Sequence, residues 1–454
     1  MNKQMSSTRW QRVDNNTQGV DFVWVLFTTY IGTNLVRIVP MAAFKRLLET
    51  NQGISVPKTV LHILPHDNVA DGGTSVGSFF LQPDLRSLVS PYLDPNKAIV
   101  MSTWADKESN PMGECARYKL DTLTHSIEQK AKCSVLVGFE LEFCILRQKI
   151  LPSGQVEYEP VNVDHAWCTM SMTREAELLL GILEEVVLAL QDLGIMVQQF
   201  HAELGPDQWE FILPPDSPLK AVDALVLARQ VVMKIASKHG YRATLHPRLS
   251  AEKPGTGAHV HMSLNSPELN SSSSDQADLS TVESFFAGIL DNFPSISAFT
   301  LPQEISYDRV LGGIASGGEY VSWGWENKET ILRRICNNRF EVKMMDGLAN
   351  PYLALCALLA AGLDGLLQGS SLRAGPCLVE PAKMSDQERA ALGIEAKVPT
   401  GLAESLENLE TNERLRLALG ESLVSTYLAV KRGELKVVQR KTPEEQRAWF
   451  ISRY

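Results

Sequence analysis

The sequence predicts an α+β fold in which a small N-terminal domain precedes a large domain. With 454 residues, the chain has room for such a pair at ~100–200 residues per domain. Strand-like runs dominate from about residue 20 to residue 120, and from about residue 134 apolar strands alternate with long amphipathic helices. The predicted parts are a loose segment 1–18, an N-terminal domain 19–125 and a second domain 126–454.

The N-terminal domain is predicted from short strands separated by turns. The strand-like runs are DFVWVLFTTY and NLVRIVP, which are rich in β-branched and aromatic residues. The stretch DNVADGGTSVGSFF is rich in the glycine and aspartate typical of turns. A helix is predicted over about residues 120–130, where the domain ends.

The second domain begins with an apolar strand and continues with long helices. Amphipathic helices are predicted in EAELLLGILEEVVLALQDLG and LKAVDALVLARQVVMKIASKHG. The apolar stretch NPYLALCALLAAGLDGLL predicts a buried core helix, and the polar residues 266–278 predict a surface loop.

Composition excludes several classes of protein. The net charge of −10 argues against binding to nucleic acid. No apolar run is expected to reach the ~18 residues that cross a membrane, and the first residues contain no apolar signal segment. The seven cysteines lack C-x-x-C spacing and predict reduced thiols, so a cytoplasmic location is expected.

Charged residues interrupt the apolar strands of the second domain. Glu140 and Glu142 stand two apart in VLVGFELEFCIL, so both carboxylates face the same side of a strand. Two like charges on a buried face are costly unless cations compensate them. An exposed strand face is the alternative for this motif alone.

The same feature recurs in three further strand-like segments of this domain. The residues are Glu203 and Glu210 around a Gly-Pro turn, His259 and His261 on one face, and Arg339, Glu341 and Lys343 on one face. Each segment alone also fits a solvated strand edge, but four in one domain favour a common site.

The five glutamates and His259 form a donor set that suits Mg²⁺ or Mn²⁺ better than zinc. Five carboxylates carry enough charge for two divalent ions, which can bridge the phosphates of ATP. The segment 309–343 is rich in basic residues, which we expect to bind a phosphate and a carboxylate. The alternative is that they are ordinary surface residues. The segment contains Arg309, Lys328, Arg333, Arg334, Arg339 and Lys343.

The chain resembles the glutamine synthetase family, in particular its type I-like branch of glutamate–amine ligases and fungal glutamine-synthetase-like proteins. The pieces that carry the resemblance are GFELEF, HAELGPDQWEF, PGTGAHVHMSL, WGWENKETILR and RFEVKMMDGLANPYLALCALLAAGLDGL. The resemblance implies a β-grasp-like N-terminal domain and a catalytic domain whose antiparallel sheet is flanked by helices. It also implies ATP, two or more Mg²⁺ or Mn²⁺ ions, and a ring-shaped homo-oligomer of about 8–12 subunits with shared active sites.

The resemblance also implies roles for individual residues. Glu142, Glu203 and Glu210 match the ligands of one metal, and Glu140, His259 and Glu341 match those of the other. His261, Ser263, Arg333 and Arg339 match positions around ATP. Gly255, Arg309 and Lys343 match the amino-acid site, while Arg309, Lys328 and Glu341 match catalytic positions.

Departures from the family pattern cluster around the amino-acid and ammonium pockets. Pro254 replaces an asparagine, and Lys328 and Lys343 replace arginines. Family members have a flap glutamate that helps to bind ammonium, and this chain has Ala315 at the corresponding position. Glu319 takes the role of that glutamate only if the loop bends differently. Asp71 is the candidate for the aspartate that the N-terminal domain supplies to ammonium.

The predicted function is an ATP-dependent ligase that phosphorylates a small carboxylic acid, expected to be glutamate at its γ-carboxylate. The resulting acyl phosphate condenses with an amine, and the departures suggest an amine other than ammonia or an acid other than glutamate. Three alternatives stay open: true glutamine synthesis, a non-catalytic assembly or signalling protein, and a phosphotransferase acting on a guanidino acceptor.

Overall fold

The strands form two separate sheets. The computed structural model describes residues 17–454 apart from 92, 153, 155, 162–167 and 267–278. Residues 1–16 and nearly all of the predicted surface loop 266–278 therefore lie outside the described residues. The strands of the first sheet are β1 Phe22–Thr28, β2 Asn34–Pro40, β3 Ile54–Pro57, β4 Ser78–Pro83 and β5 Lys97–Ala105. The strands of the second sheet are β6 Ser134–Ile150, β7 Val156–Pro160, β8 Gln199–Ala202, β9 Gln208–Ile212, β10 Tyr241–Thr244, β11 Ala258–Asn265, β12 Trp323–Trp325, β13 Leu332–Cys336 and β14 Arg339–Val342.

The first sheet is mixed, with the strand order β2-β1-β5-β4-β3. β1 pairs parallel with β5, whereas the other neighbours pair antiparallel. Along β1 burial alternates at the start, where Phe22 is exposed and Val23 and Val25 are fully buried, and then becomes continuous from Val25 to Phe27.

The second sheet is almost entirely antiparallel and is organised around the long strand β6. Its main path is β12-β13-β14-β11-β6-β9-β8, and β7 and β10 pair with the distal part of β6. Among the described pairings of this second sheet, only the short edge pair β12–β13 runs parallel. This sheet holds the predicted site strands next to one another.

Helices cover the sheets, and some of them begin at a residue whose side chain caps the first turn. In chain order they are α1 Met41–Thr50, α2 Ala116–Ala131, α3 Arg174–Asp192, α4 Pro218–Lys238, α5 Ser280–Asp291, α6 Phe293–Thr300, α7 Pro351–Gln368, α8 Asp386–Ala391, α9 Leu402–Thr411, α10 Glu413–Leu419, α11 Glu421–Val438 and α12 Pro443–Arg453. The Thr173 hydroxyl accepts from the Ala176 N–H at the start of α3, and the Asn350 side chain accepts from two N–H groups at the start of α7. The α+β class, the strands of the quoted motifs and the long helices are thus confirmed.

The apolar helix α7 lies in the core, where it packs against α2 and α5. Among the described residues it is the one helix long and apolar enough to cross a membrane by length and composition, and 78% of its apolar window is buried in the protein. Asp364 interrupts the helix, so the uninterrupted apolar run 351–363 stays shorter than the ~18 residues that cross a membrane. A helix surrounded by other helices is apolar on most sides, which accounts for the composition of α7.

One continuous hydrophobic core joins the first sheet, the second sheet and α7. A continuous core contains no gap that would mark a boundary between domains. The domain limits 19–125 and 126–454 therefore stay a prediction. All seven cysteines are free thiols, as the lack of C-x-x-C spacing predicts.

Candidate active site

Strand register brings the predicted ligand residues together on one face of the second sheet. β11 runs between β6 and β14, so that His259 pairs with Glu140 on one side and His261 pairs with Glu341 on the other. On the far side of β6, Glu142 pairs with Glu210 of β9. Residues separated by up to about 200 positions in the sequence thus become neighbours.

The two histidines of β11 contact the carboxylates directly. His259 Nδ1 lies 2.9 Å from Glu140 Oε2, 3.4 Å from Glu341 Oε1 and 3.5 Å from Glu142 Oε1. His261 Nε2 lies 2.8 Å from Glu140 Oε1. Burial raises the pKa of Glu140, but hydrogen bonds from His259 and His261 outweigh it and hold that pKa well below its usual range.

Glu142 is held in place by groups that the sequence analysis did not single out. The Gln208 side-chain amide donates to Glu142 Oε2 at 2.6 Å and to the Gly255 carbonyl at 3.1 Å, and the Gly257 N–H donates to the same carboxylate at 2.9 Å. A Cβ at Gly257 would collide with the ring of His259. Gln208 shares a strand face with Glu210, and this two-residue spacing is the signal that indicates it.

His201 is a second residue that sequence reasoning missed. Its Nε2 lies 3.4 Å from Glu203 Oε1 and 3.7 Å from Glu210 Oε1. The spacing of two between His201 and Glu203 was visible in the motif HAELG. The structure therefore places a third histidine beside the carboxylates, in addition to His259 and His261.

The charge balance of the carboxylates is unequal across the site. Burial, followed by the charges of Glu140, Glu142 and Glu203, raises the pKa of Glu210 to about 9. Burial also raises the pKa of Glu341, but Lys343 and then His259 outweigh burial and lower it. Positive charge therefore compensates Glu341 more strongly than Glu210, whose pKa the charge of Lys343 lowers only in part.

The donor atoms are close enough to share metal ions. Three groups have ligand atoms that all lie within 4.8 Å of one another. These groups are Glu140, His259 and Glu341; Glu142, Glu210 and His259; and His201, Glu203 and Glu210. Donor sets rich in carboxylate oxygen, with an excess of negative charge, fit Mg²⁺ or Mn²⁺.

Cationic side chains line the same cavity, which measures about 170 Å³. Arg333 Nη1 donates to Glu341 Oε2 at 3.0 Å, and Lys343 Nζ donates to Glu341 Oε1 at 3.0 Å. Arg309 is buried and donates to the carbonyl oxygens of Thr256 and Lys343. Arg309 Nε has no hydrogen-bond partner among the described residues, and Lys328 is exposed at the cavity wall.

A second pocket of about 390 Å³ adjoins this cavity through Glu140, which lines both. His261, Ser263 and Arg339 line it, and Arg339 Nη2 lies 3.1 Å from His261 Nδ1. The predicted positions around ATP therefore divide between the two spaces, because Arg333 lines only the first.

The remaining predicted residues divide into those at the cavity and those away from it. Gly255, Pro254 and Ala315 line the cavity. A Cβ at Gly255 would overlap the Pro247 carbonyl and approach Arg309 Cγ to 3.0 Å. Glu319 and the exposed Asp71 are not among the lining residues of this single chain, and the Glu319 carboxylate instead accepts from the Gly312 N–H at 3.1 Å.

Comparison with known proteins gives concordant matches. The family model of the glutamine synthetase catalytic domain matches residues 113–450. Protein fluG of Emericella nidulans is 40% identical over 439 residues, which cover 96% of this chain and 49% of the relative, so the chain spans about half the length of that protein. Glutamine synthetase of Methanocaldococcus jannaschii is 31% identical over 376 residues, 80% of each chain.

Two further matches extend over nearly the whole chain. The gamma-glutamylpolyamine synthetase GlnA3 of Streptomyces coelicolor is 28% identical over 438 residues, which cover 93% of this chain and 91% of the relative. Among solved structures, a GmaS/ADP complex has a TM-score of 0.80 at 22% identity and covers 98% of both chains. At that identity the structural match supports the fold alone.

Proposed function

Since the chain belongs to the glutamine synthetase family, we propose that it is an ATP-dependent carbon–nitrogen ligase. In the proposed reaction a carboxylate, the γ-carboxylate of glutamate, takes the terminal phosphate of ATP to form an acyl phosphate. An amine then displaces the phosphate and forms an amide. We further propose that the preferred amine is larger than ammonia.

A single observation carries this proposal. Overlapping groups of possible metal ligands share one cavity with Arg309, Lys328, Arg333 and Lys343, and the cavity adjoins a larger pocket through Glu140. Clustered carboxylates beside cations suit a reaction that brings an acid and a polyphosphate together. Phosphoryl transfer depends mainly on such positioning and electrostatic stabilisation.

Glu142, Glu203 and Glu210 are the proposed ligands of one divalent ion, and Glu140, His259 and Glu341 are those of the other. Such ions supply charge neutralisation for the transferred phosphate when they are bound. Lys343 and Arg333 already balance the charge of Glu341. The Glu210 end, where cations are fewer, depends more strongly on a metal.

The nucleotide is proposed to occupy the larger pocket beside His261, Ser263 and Arg339. Arg333, which reaches Glu341 from the next strand, is then placed between the nucleotide phosphates and the cavity. Arg309 has one donor, Nε, without a partner, which supports its proposed role in holding the carboxylate of the amino acid. Gly255 keeps the wall beside Arg309 free of a side chain.

The amine side of the cavity supports an acceptor other than ammonia. Its walls include the uncharged side chains of Leu204, Pro254, Ile314 and Ala315. Glu319 is engaged with the backbone of Gly312. One relative is named for polyamine ligation. Two expectations stay predictions. One is a ring of subunits in which a loop around Asp71 reaches a neighbouring site, and the other is a cytoplasmic location.

The test is incubation with ATP, Mg²⁺ and hydroxylamine beside a panel of small carboxylic acids. Hydroxylamine traps an acyl phosphate whatever the natural amine, so we expect a hydroxamate with glutamate. Glu341→Ala should reduce this signal by at least about 100-fold, because it removes a proposed metal ligand that also contacts His259 and Arg333. Glu128→Ala, at an exposed position of α2, is the matched control.

Other outcomes separate the alternatives. Ammonia as the best acceptor, measured by amide formation over an amine panel, would indicate true glutamine synthesis. A phosphorylated guanidino product without amide would indicate a phosphotransferase. Absence of both hydroxamate and metal-dependent ATP binding would favour the non-catalytic assembly protein.

A further inference from the structure

The loop 311–318, here named the cavity loop, forms one wall of the candidate active site. Ile314, Ala315 and Ser316 line the cavity beside the carboxylates. The backbone of the cavity loop alternates in hand around Gly313 and Ala315, whose φ values are +82° and +58°, and the consecutive Gly317 and Gly318 both have positive φ values, +100° and +73°. Such alternation turns successive N–H groups toward one side and creates a concave anion-binding surface.

The anion in this concave surface is the side chain of Glu329. Its carboxylate accepts from the Gly313 N–H at 2.8 Å through Oε2 and from the Ala315 N–H through Oε1. Glu329 is 8% exposed, and no ion pair within 4 Å is formed by its carboxylate among the described residues. Since no cation in the described part of the chain pairs with this buried carboxylate, the two N–H groups stabilise it by hydrogen bonding.

The neighbouring backbone holds the far end of the same loop. The Gly317 N–H donates to the Lys328 carbonyl at 3.1 Å, and a Cβ at Gly318 would overlap the Glu329 carbonyl. The Asn327 Oδ1 accepts from the Glu329 N–H at 3.0 Å and fixes the start of this segment. The cavity loop is therefore attached along residues 327–329, directly beside Lys328 at the cavity wall.

We propose that Glu329 is a positioning residue that latches the cavity loop over the site. The consequence for catalysis rests on the proposed ligase function. A latched loop keeps water away from an acyl phosphate while the uncharged Ile314 and Ala315 leave room for the substituent of the amine. Release of the latch gives water access and lets ATP be consumed without amide formation.

The test compares two isosteric substitutions. Glu329→Gln keeps one acceptor oxygen but places an NH₂ group against the second N–H, so one bond is lost. Glu319→Gln is the matched control, because its carboxylate accepts only from Gly312 in the cavity loop and an amide oxygen can still do so. Glu329→Ala, which removes both bonds, is a second variant in case one remaining bond suffices.

Two measurements are made on the full chain. In Glu329→Gln, hydrogen exchange of the Gly313 and Ala315 amides should accelerate by about tenfold, and exchange in α7 should stay unchanged. The amount of amide formed per ADP should fall by about fivefold or more, with an unchanged KM for ATP, because the nucleotide pocket lies outside the loop. Glu319→Gln should alter neither quantity.

Unchanged exchange and an unchanged amide-to-ADP ratio in both Glu329 variants would overturn the latch. A uniform loss of exchange protection throughout the protein would also overturn it, since Glu329 would then only stabilise the fold. If the wild-type chain forms neither amide nor hydroxamate, the proposed ligase function fails. The exchange measurement then decides by itself whether the latch exists.

Discussion

At the scale of single residues, Gln208 connects three parts of the candidate site. It bridges Glu142 and the Gly255 carbonyl, and its Oε1 accepts from the Gly205 N–H at 2.9 Å. Gln208→Leu keeps the apolar bulk but removes all three bonds. We expect Mn²⁺ affinity to fall by about 10- to 100-fold, as for other groups that orient a metal ligand.

Isothermal titration with Mn²⁺ checks this prediction. Gln191→Leu, at an exposed position near the end of α3, provides the control. Equal Mn²⁺ affinity in the Gln208 and Gln191 variants would mean that the amide does not orient Glu142.

His246 gives the protein a pH-dependent stability. Burial, and then the charge of Arg447, lowers the pKa of His246 to about 4, so the folded protein keeps this imidazole neutral where the unfolded chain binds a proton. The contribution of His246 to stability is therefore complete above pH ~6.5 and is lost as the pH falls toward 4. Between pH 7 and pH 5 we expect a loss of about 2 kcal/mol in the free energy of unfolding.

Urea denaturation at the two pH values measures this loss. His246→Asn does not titrate and retains an acceptor for the Arg248 N–H, which donates to His246 Nδ1 at 3.2 Å. The difference between pH 7 and pH 5 should shrink in this variant and persist in the exposed His125→Asn. If the free energy of unfolding changes equally between pH 7 and pH 5 in all three proteins, His246 is not the source of the change.

At the scale of elements, α5 and α7 approach closely because both have a glycine at their crossing. A Cβ at Gly288 would overlap the Ala361 carbonyl, and a Cβ at Gly365 would overlap the Ser284 carbonyl. Gly288→Ala should destabilise the protein by about 1–3 kcal/mol, because the backbones must separate. Thermal and chemical denaturation measure the change.

The control for this prediction is another helical glycine. Gly181 lies on the exposed side of α3, and a Cβ there would have nothing within 4 Å. Gly181→Ala should stabilise the protein by about 0.5–1 kcal/mol. If α5 and α7 are in close contact, the two substitutions must change the free energy of unfolding in opposite directions.

At the scale of the whole molecule, the clustered carboxylates couple metal binding to stability. Burial of Glu210, and then repulsion from Glu140, Glu142 and Glu203, raises the free energy of the metal-free protein. A divalent ion at about 100 times its Kd should add ~2.7 kcal/mol of stability. The denaturation midpoint should therefore rise with Mg²⁺ or Mn²⁺ and fall when a chelator removes the ion.

Glu210→Gln distinguishes this effect from a general effect of salt. With a pKa raised to about 9, Glu210 must take up a proton when the metal-free protein folds at neutral pH. The uncharged amide avoids this cost, so the metal-free variant should be more stable than the metal-free wild type, and the gain from metal should shrink. Glu157→Gln, at an exposed position, should retain the wild-type gain. An equal gain in all three proteins would mean that the ion binds elsewhere.

Much of this molecule follows from its residues in order. Charges placed two apart in apolar strands predict a common face, because side chains alternate along any strand. The family pattern then predicts the sheet that joins Glu140, Glu142, His259 and Glu341. The apolar composition of α7 predicts a core helix, and the structure confirms it, although the helix is also long enough to cross a membrane.

The tertiary structure decided which groups hold those residues in place. Gln208 meets Glu142, and Glu329 meets Gly313 and Ala315, only after strand register and loop conformation are fixed. Residue type and spacing do not encode these meetings, because hydrogen-bond partners distant in the sequence depend on how strands pair. The sequence thus determined the family and the carboxylate set, whereas packing and register determined how the site is held and closed.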